Sequence, residues 1–261
     1  FARPLHWIAA LFDGKALEFE FDGIVNGMVS RGHRFLNPGK FKIKSLESYL
    51  DECKKHSLIV DPETRKKSIL EQVQQLAKQA GGHIKEDEDL VNLVNYLVEY
   101  PVAIKGDFDS GFLELPKELL VITMKYHQKY FPIWDKKEKL LPCFITVSNM
   151  PATDENEIQK GNERVLRARL EDARFFYDED RKTSLEDFVE SLKGVVFQKK
   201  LGTIYEKVVR ITALAGILTS QICPKKETQV SRAARLSKAD LVSQMVFEFP
   251  ELQGIMGGYY A

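Results

Sequence analysis

Asp240 closes the run RAARLSKAD (Arg232–Asp240) and is the carboxylate whose setting best suits hydrolytic chemistry. Carboxylate and imidazole side chains together can hold a divalent cation. Such a cation turns bound water into a nucleophile. That chemistry needs ring nitrogens, yet His6, His33, His56, His83 and His127 all precede residue 128. Ser237, Lys238 and Ala239 stand beside Asp240, and Lys238 would repel a cation. Too few ligands remain for a first coordination shell. Asp240 therefore reads as an ion pair or a helix-end contact inside a core, and no catalytic residue and no metal ligand is assigned.

Basic side chains are the other residues with a chemical use. Val195–Leu241 holds nine (Lys199, Lys200, Lys207, Arg210, Lys225, Lys226, Arg232, Arg235, Lys238) against Glu206, Glu227 and Asp240, so 9 − 3 gives +6. The whole chain is formally neutral, so the remainder carries −6. A local basic lobe suits phosphates, whereas a chain-wide charge argument for nucleic acid fails. The first candidates for phosphate contact are Lys199, Lys200, Lys207, Arg232, Arg235 and Lys238. Arg164, Arg167 and Arg174, near one face of a helix, come second, since arginine forks fit phosphate oxygens. Glu163, Arg167 and Glu171 lie four apart, which favours internal ion pairs instead. On charge alone an RNA surface and a solvated or protein-docking surface weigh equally.

The remaining constellations are weak. No GxSxG, CxxC or GxxxxGK[ST] pattern occurs. Asp107 and Asp109 are too few for a cation loop. His33 lies between Arg31 and Arg34 and suggests a basic turn facing a partner. Lys125, His127 and Lys129 interleave with Tyr126, Tyr130 and Phe131, a pattern that can stack on bases but reads better as hairpin core. Cys53, Cys143 and Cys223 are far apart and odd in number, so neither a disulfide framework nor a zinc site is expected. A reducing cytoplasm is the simplest setting. No apolar run is long enough to span a bilayer. Both ends read as cut from something longer.

These residues must be held by two kinds of architecture. With 44% hydrophobic and 29% charged residues the chain is globular in composition. In its front part, Trp7–Phe12 and Ala16–Phe21 flank Asp13-Gly14, a hairpin signal. Phe41–Lys44 alternates as an edge strand. Ser45 caps one helix, Pro62 opens a second that ends near Gly81-Gly82, Asp87–Val98 forms a third and Pro116 starts a fourth. Tyr130–Trp134 and Leu141–Val147 make a second hairpin. Pro151–Lys160 is polar and aperiodic, which predicts a loop and a domain boundary. Beyond it nearly all is helix. Leu166, Leu170, Ala173 and Tyr177 form one stripe. Ile204, Val208, Ile211, Ala215, Leu218 and Ile222 form another, which predicts a well-buried helix. A last helix runs from about Ser231 to Phe249. The fold class is α+β, with a mixed domain at 1–155 and an all-helical domain at 156–261.

The cadence around Asp240 resembles the metal-binding helix of HD-type phosphohydrolases. The chain as a whole resembles the beta subunit of bacterial glycyl-tRNA synthetase. The segments that carry this are RGHRFLNP (31–38), VEYP (98–101), GDFDSGFLELPKELL (106–120), TMKYHQKYFP (123–132), LLPCFITVSN (140–149), GNERVLRARLEDARFFYDEDRK (161–182), VVFQKKLGT (195–203), KADLVSQMV (238–246) and EFPELQGIMGGYYA (248–261). The resemblance implies a heterotetramer of two alpha and two beta subunits. Alpha carries the class II core that uses ATP and glycine, and beta supplies recognition of tRNA(Gly). It implies an editing-module-like front domain followed by a degenerate HD-like helical domain, and an anticodon-binding domain outside this chain. On that view the chain is a non-catalytic, cytoplasmic part of a ligase, with no cofactor of its own and no membrane partner. Two alternatives are a purely structural lobe that docks alpha without touching tRNA, and a surviving metal-dependent phosphohydrolase.

Overall fold

The structure, a computed structural model, describes residues 5–151 and 154–261. It is mixed α and β, and it divides into two compact units whose sequences interleave. The first comprises 1–107 and 129–162, the second 108–128 and 163–261. The sequence reading placed one boundary at 155/156. The structure instead groups 108–128 with the C-terminal residues.

The first unit opens on short strands: β1 (Ile8–Ala9), β2 (Leu11–Phe12), β3 (Lys15–Ala16), β4 (Glu20–Phe21), β5 (Ile24–Gly27), β6 (Val29–Arg31) and β7 (Lys40–Lys42). The expected hairpin at Asp13-Gly14 is present, with Leu11 opposite Ala16 and Phe12 opposite Lys15. Its first strand is broken at Ala10 for a local reason. The Asn26 side chain accepts from Ala10 N at 2.7 Å and donates to Ala10 O at 3.1 Å, so an amide takes the place of a ladder partner. Strand β6 pairs antiparallel with β7, Arg31 opposite Lys40 and Val29 opposite Lys42. Phe41 and Ile43 point inward onto Cys53, while Lys40, Lys42 and Lys44 alternate outward.

Helices α1 (Leu46–Lys55), α2 (Pro62–Gln79) and α3 (Glu88–Asn95) follow, capped by Ser45, Asp61 and Asp87. Strands β8 (Val102–Asp107), β9 (Phe131–Trp134) and β10 (Leu140–Ser148) form an antiparallel sheet in the order β8-β10-β9. Ile69, Val73 and Ala77 of α2, spaced by four, pack with Leu90, Val91 and Val94 of α3 on Phe131, Ile133, Cys143 and Ile145. Buried Arg65 ties α2 to α3, its Nε donating to the main-chain and side-chain oxygens of Asn95 at 2.8 and 3.0 Å. Tyr130 stacks on Phe144, ring centres 4.5 Å apart, so it belongs to the hairpin core.

His33 is fully buried, which corrects the expectation of a partner-facing histidine. Its Nδ1 accepts from the main-chain N–H groups of Phe35 and Leu36, and its Nε2 lies 2.9 Å from the Asn149 carbonyl. The proton therefore sits on Nε2, which donates to that carbonyl. Asn149 in turn accepts from Glu99 and Tyr100 through its side chain. The three sequence segments RGHRF, VEYP and SN are thus joined at one buried imidazole.

In the second unit lie α4 (Lys117–Ile122), a π-helical turn (Thr123–Gln128) and most of α5 (Glu155–Asp180). Glu155 begins a helix where a loop over 151–160 was expected. Asp154 accepts from Asn156 N, and the first turns are exposed, which hid the helical period. Ala152 and Thr153 of that expected loop lie outside the described residues. The stripe Leu166, Leu170 and Ala173 is buried as its spacing predicts.

Next come α6 (Leu185–Ser191), β11 (Val196–Gln198), β12 (Gly202–Thr203) and α7 (Ile204–Ile222). The small β11–β12 hairpin corrects the all-helical expectation. Gly202, at φ 81°, makes the turn, and Thr203 with Glu206 closes a capping box on α7. Helix α7 is not well buried as expected. Val208 is inside, but Leu218 and Ile222 are 56% and 76% exposed. The helix packs chiefly on α8 (Glu227–Leu236), which itself buries no residue. The expected helix 231–249 is also interrupted. After α8 come a 3₁₀ turn at Ala239–Val242, then α9 (Gln244–Glu248) capped by Ser243, and α10 (Ile255–Tyr260).

Candidate functional site and family

Asp240 lines a cavity of about 430 Å³ together with Arg232, Ser237, Gly254 and Gly257. It is 1% exposed. Its Oδ2 accepts from the main-chain N–H of Gly254 and, at 3.0 Å, of Gly257. Asp240 thus caps the start of α10, the helix-end contact its sequence setting suggested. Gly254 has φ 83°, and a Cβ on Gly257 would sit 3.4 Å from the Asp240 carboxyl. Only Gly254 needs glycine, for its left-handed backbone; the Gly257 distance is an ordinary contact and a Cβ on Gly258 would meet nothing within 4 Å.

A second buried aspartate was missed. Asp180 accepts from Gln244 N and Met245 N at 2.8 and 2.9 Å, and from the Tyr260 hydroxyl at 2.9 Å. It caps α9 and pins α10 to the end of α5. Burial, then the neighbouring Asp180 charge, pushes the Tyr260 phenol well above its ordinary range. The signal was available: Asp180 extends the stripe 166, 170, 173, 177 by three residues. Both carboxylates are thus engaged by main-chain donors. Among the described residues no three His, Cys, Asp or Glu side chains gather as a metal site.

The basic candidates do not all stand free. Arg232 pairs with Glu186 at 3.1 Å and Arg235 with Glu190 at 3.8 Å, binding α8 to α6. Lys207 covers the Phe197 ring at 3.9 Å. Lys199 and Lys200 are exposed in the β11–β12 turn, and Lys238 is half-buried beside Asp240. Arg164 and Arg167 are exposed on α5. Arg174 is committed to structure: it donates to Gly111 O at 2.6 Å and lies 4.5 Å over Phe112. The structure brings Arg167 and Arg174 to one cleft with Asp109, Glu171 and Asp178, a mixed-charge surface.

All of residues 1–261 match the model of the glycyl-tRNA synthetase beta subunit family. The chain belongs to that family. It is 55% identical over 261 residues to a glycine–tRNA ligase beta subunit of Trichlorobacter lovleyi and 54% identical to one of Geobacter sulfurreducens. Each match takes in 100% of this chain and 38% of the relative. The chain thus spans well under half the length of the family members it matches. No helix among its described residues is long and apolar enough to cross a membrane.

Proposed function

We propose that this chain is a non-catalytic, tRNA-engaging part of a glycine–tRNA ligase beta subunit. It would support ATP-dependent glycylation of tRNA(Gly), in the cytoplasm, by an alpha subunit that holds ATP and glycine. The observation that carries the reading is the family match over every residue of the chain. The first unit would correspond to an editing-module-like domain and the second to a degenerate HD-like domain. The use of Asp240 and Asp180 as helix caps supports a scaffold without hydrolytic chemistry. Lys199 and Lys200, exposed at a turn, are the leading phosphate contacts in the second unit. Changing both to Glu should weaken tRNA binding at least about tenfold at low salt, because each lost phosphate contact removes a released counterion. Unchanged affinity would remove that assignment.

A second reading, a docking lobe that never touches tRNA, is favoured by one observation. Arg232 and Arg235 spend their charge on Glu186 and Glu190. Crosslinking the chain separately to alpha and to tRNA distinguishes the two.

A further inference from the structure

The first unit carries a basic surface unlike the rest of its sequence. Between Asp22 and Glu47 there is no acidic residue, while Arg31, Arg34, Lys40, Lys42 and Lys44 give +5. Strand pairing sets Arg31 opposite Lys40 and Val29 opposite Lys42, which places these four on one face of a two-stranded ribbon. All four are exposed, and Ser30 and Phe41 occupy the other face. Alternate residues on a strand repeat at about 6.6 Å, so the cations form a row. None of the five is ion-paired among the described residues. Lys44 lies near enough to Glu52 to help lower that carboxyl.

The loop joining the two strands adds aromatic surface. Phe35 is 69% exposed, with the Arg34 guanidinium 5.8 Å from its ring centre. Trp7 is 44% exposed beneath Arg31 at 5.6 Å. The loop is held rigid from below. His33 binds the N–H groups of Phe35 and Leu36, Gly32 N donates to Gly39 O, and Asn37 Nδ2 donates to Lys55 O. A side chain at Gly32 would collide with the Asn37 carbonyl and His56. An apolar ring kept in water beside unpaired cations, on a preformed loop, matches a surface that tracks phosphates and stacks a base. An acidic protein partner would use the cations and leave Phe35 without a role.

We propose that the β6–β7 ribbon and its loop are a second RNA-binding surface, in which Arg34, Lys40 and Lys42 contact successive phosphates of an unpaired strand and Phe35 stacks on a base. The proposal rests on reading the chain as tRNA-engaging, and it adds a contact in the other unit. The test uses the full chain with two probes, a tRNA(Gly) transcript and a single-stranded twelve-nucleotide oligouridylate, over a salt titration. The triple variant Arg34→Gln, Lys40→Gln, Lys42→Gln alters only exposed groups. It should bind both probes about tenfold or more weakly and flatten the log–log salt slope by about 2, at roughly 0.7 per single-strand phosphate contact. Phe35→Ala should weaken binding about fivefold or more and leave the slope unchanged. If the ribbon variants bind like the parent while Lys199→Glu, Lys200→Glu binds weakly, the ribbon proposal is wrong and the tRNA reading stands. If the parent binds neither RNA, or binds oligo-glutamate as tightly, both the ribbon proposal and the RNA role fail.

Discussion

At the scale of single residues, two buried carboxylates hold the last turns of the second unit in place. The Ala-Ala-x-Leu turn leading to Asp240 suggested a cation ligand, the absence of downstream histidine shifted the reading to an ion pair or a helix-end contact, and the structure shows the second. Asp180 was legible only as the end of a stripe. Its partners at Gln244, Met245 and Tyr260 lie more than sixty residues away, beyond what local spacing encodes. Removing it leaves two N–H groups and a hydroxyl unpaired. Asp180→Ala should cost about 3 kcal/mol or more in urea unfolding, while an exposed acid such as Glu186→Ala should cost under about 1 kcal/mol. Tyr260 gives the pH dependence. An unfolded tyrosine releases its proton near pH ~10, whereas the buried phenol keeps it to higher pH. Above about pH 10 the unfolded state therefore binds fewer protons, and stability falls as pH rises. Tyr260→Phe should lower stability at pH 7 by about 1 kcal/mol yet lose less between pH 9 and 11 than the parent. Equal losses in the two proteins over that window would show that folding, through burial and Asp180, does not raise the Tyr260 phenol.

At the scale of elements, caps and turns were legible because their chemistry is local. Ser45, Pro62 and Asp13-Gly14 sit where the spacing put them. Elements shaped by remote groups were not. The Asn26 amide interrupts the first strand, an exposed first turn disguised the start of α5, and the β11–β12 hairpin has strands of only three and two residues, too short to show an alternation. Helix α7 shows the limit of periodicity. Its stripe is real, but a stripe states which face is apolar, not whether anything covers it. Strand β8 depends on one close approach. Gly106 stands opposite Phe144, and a Cβ there would enter that ring, itself stacked on Tyr130. Gly106→Ala should destabilise the first unit by about 1–3 kcal/mol, measured by thermal or urea unfolding. A neutral result would mean that the Tyr130–Phe144 stack shifts freely.

At the scale of the whole molecule, zero net charge conceals a strongly uneven distribution. Bulk charge excluded a uniformly basic nucleic-acid binder and directed attention to segments. It also hid the acid-free ribbon inside a remainder that sums to −6. Neutrality has a colloidal consequence as well. With a pI near 7.1 there is little mutual repulsion at neutral pH, and α7 presents Leu214, Ile217 and Ile222 at 61%, 57% and 76% exposure. Apolar contact unopposed by charge favours self-association. Light scattering at low ionic strength should therefore be greatest near pH 7 and fall by pH 9, where the chain becomes anionic. Leu214→Glu with Leu218→Glu should suppress the pH 7 signal without lowering the unfolding midpoint, since both side chains already lie in water. Persistent scattering in that double variant would assign the association to another surface, such as the exposed Phe12 and Phe21 of the first unit.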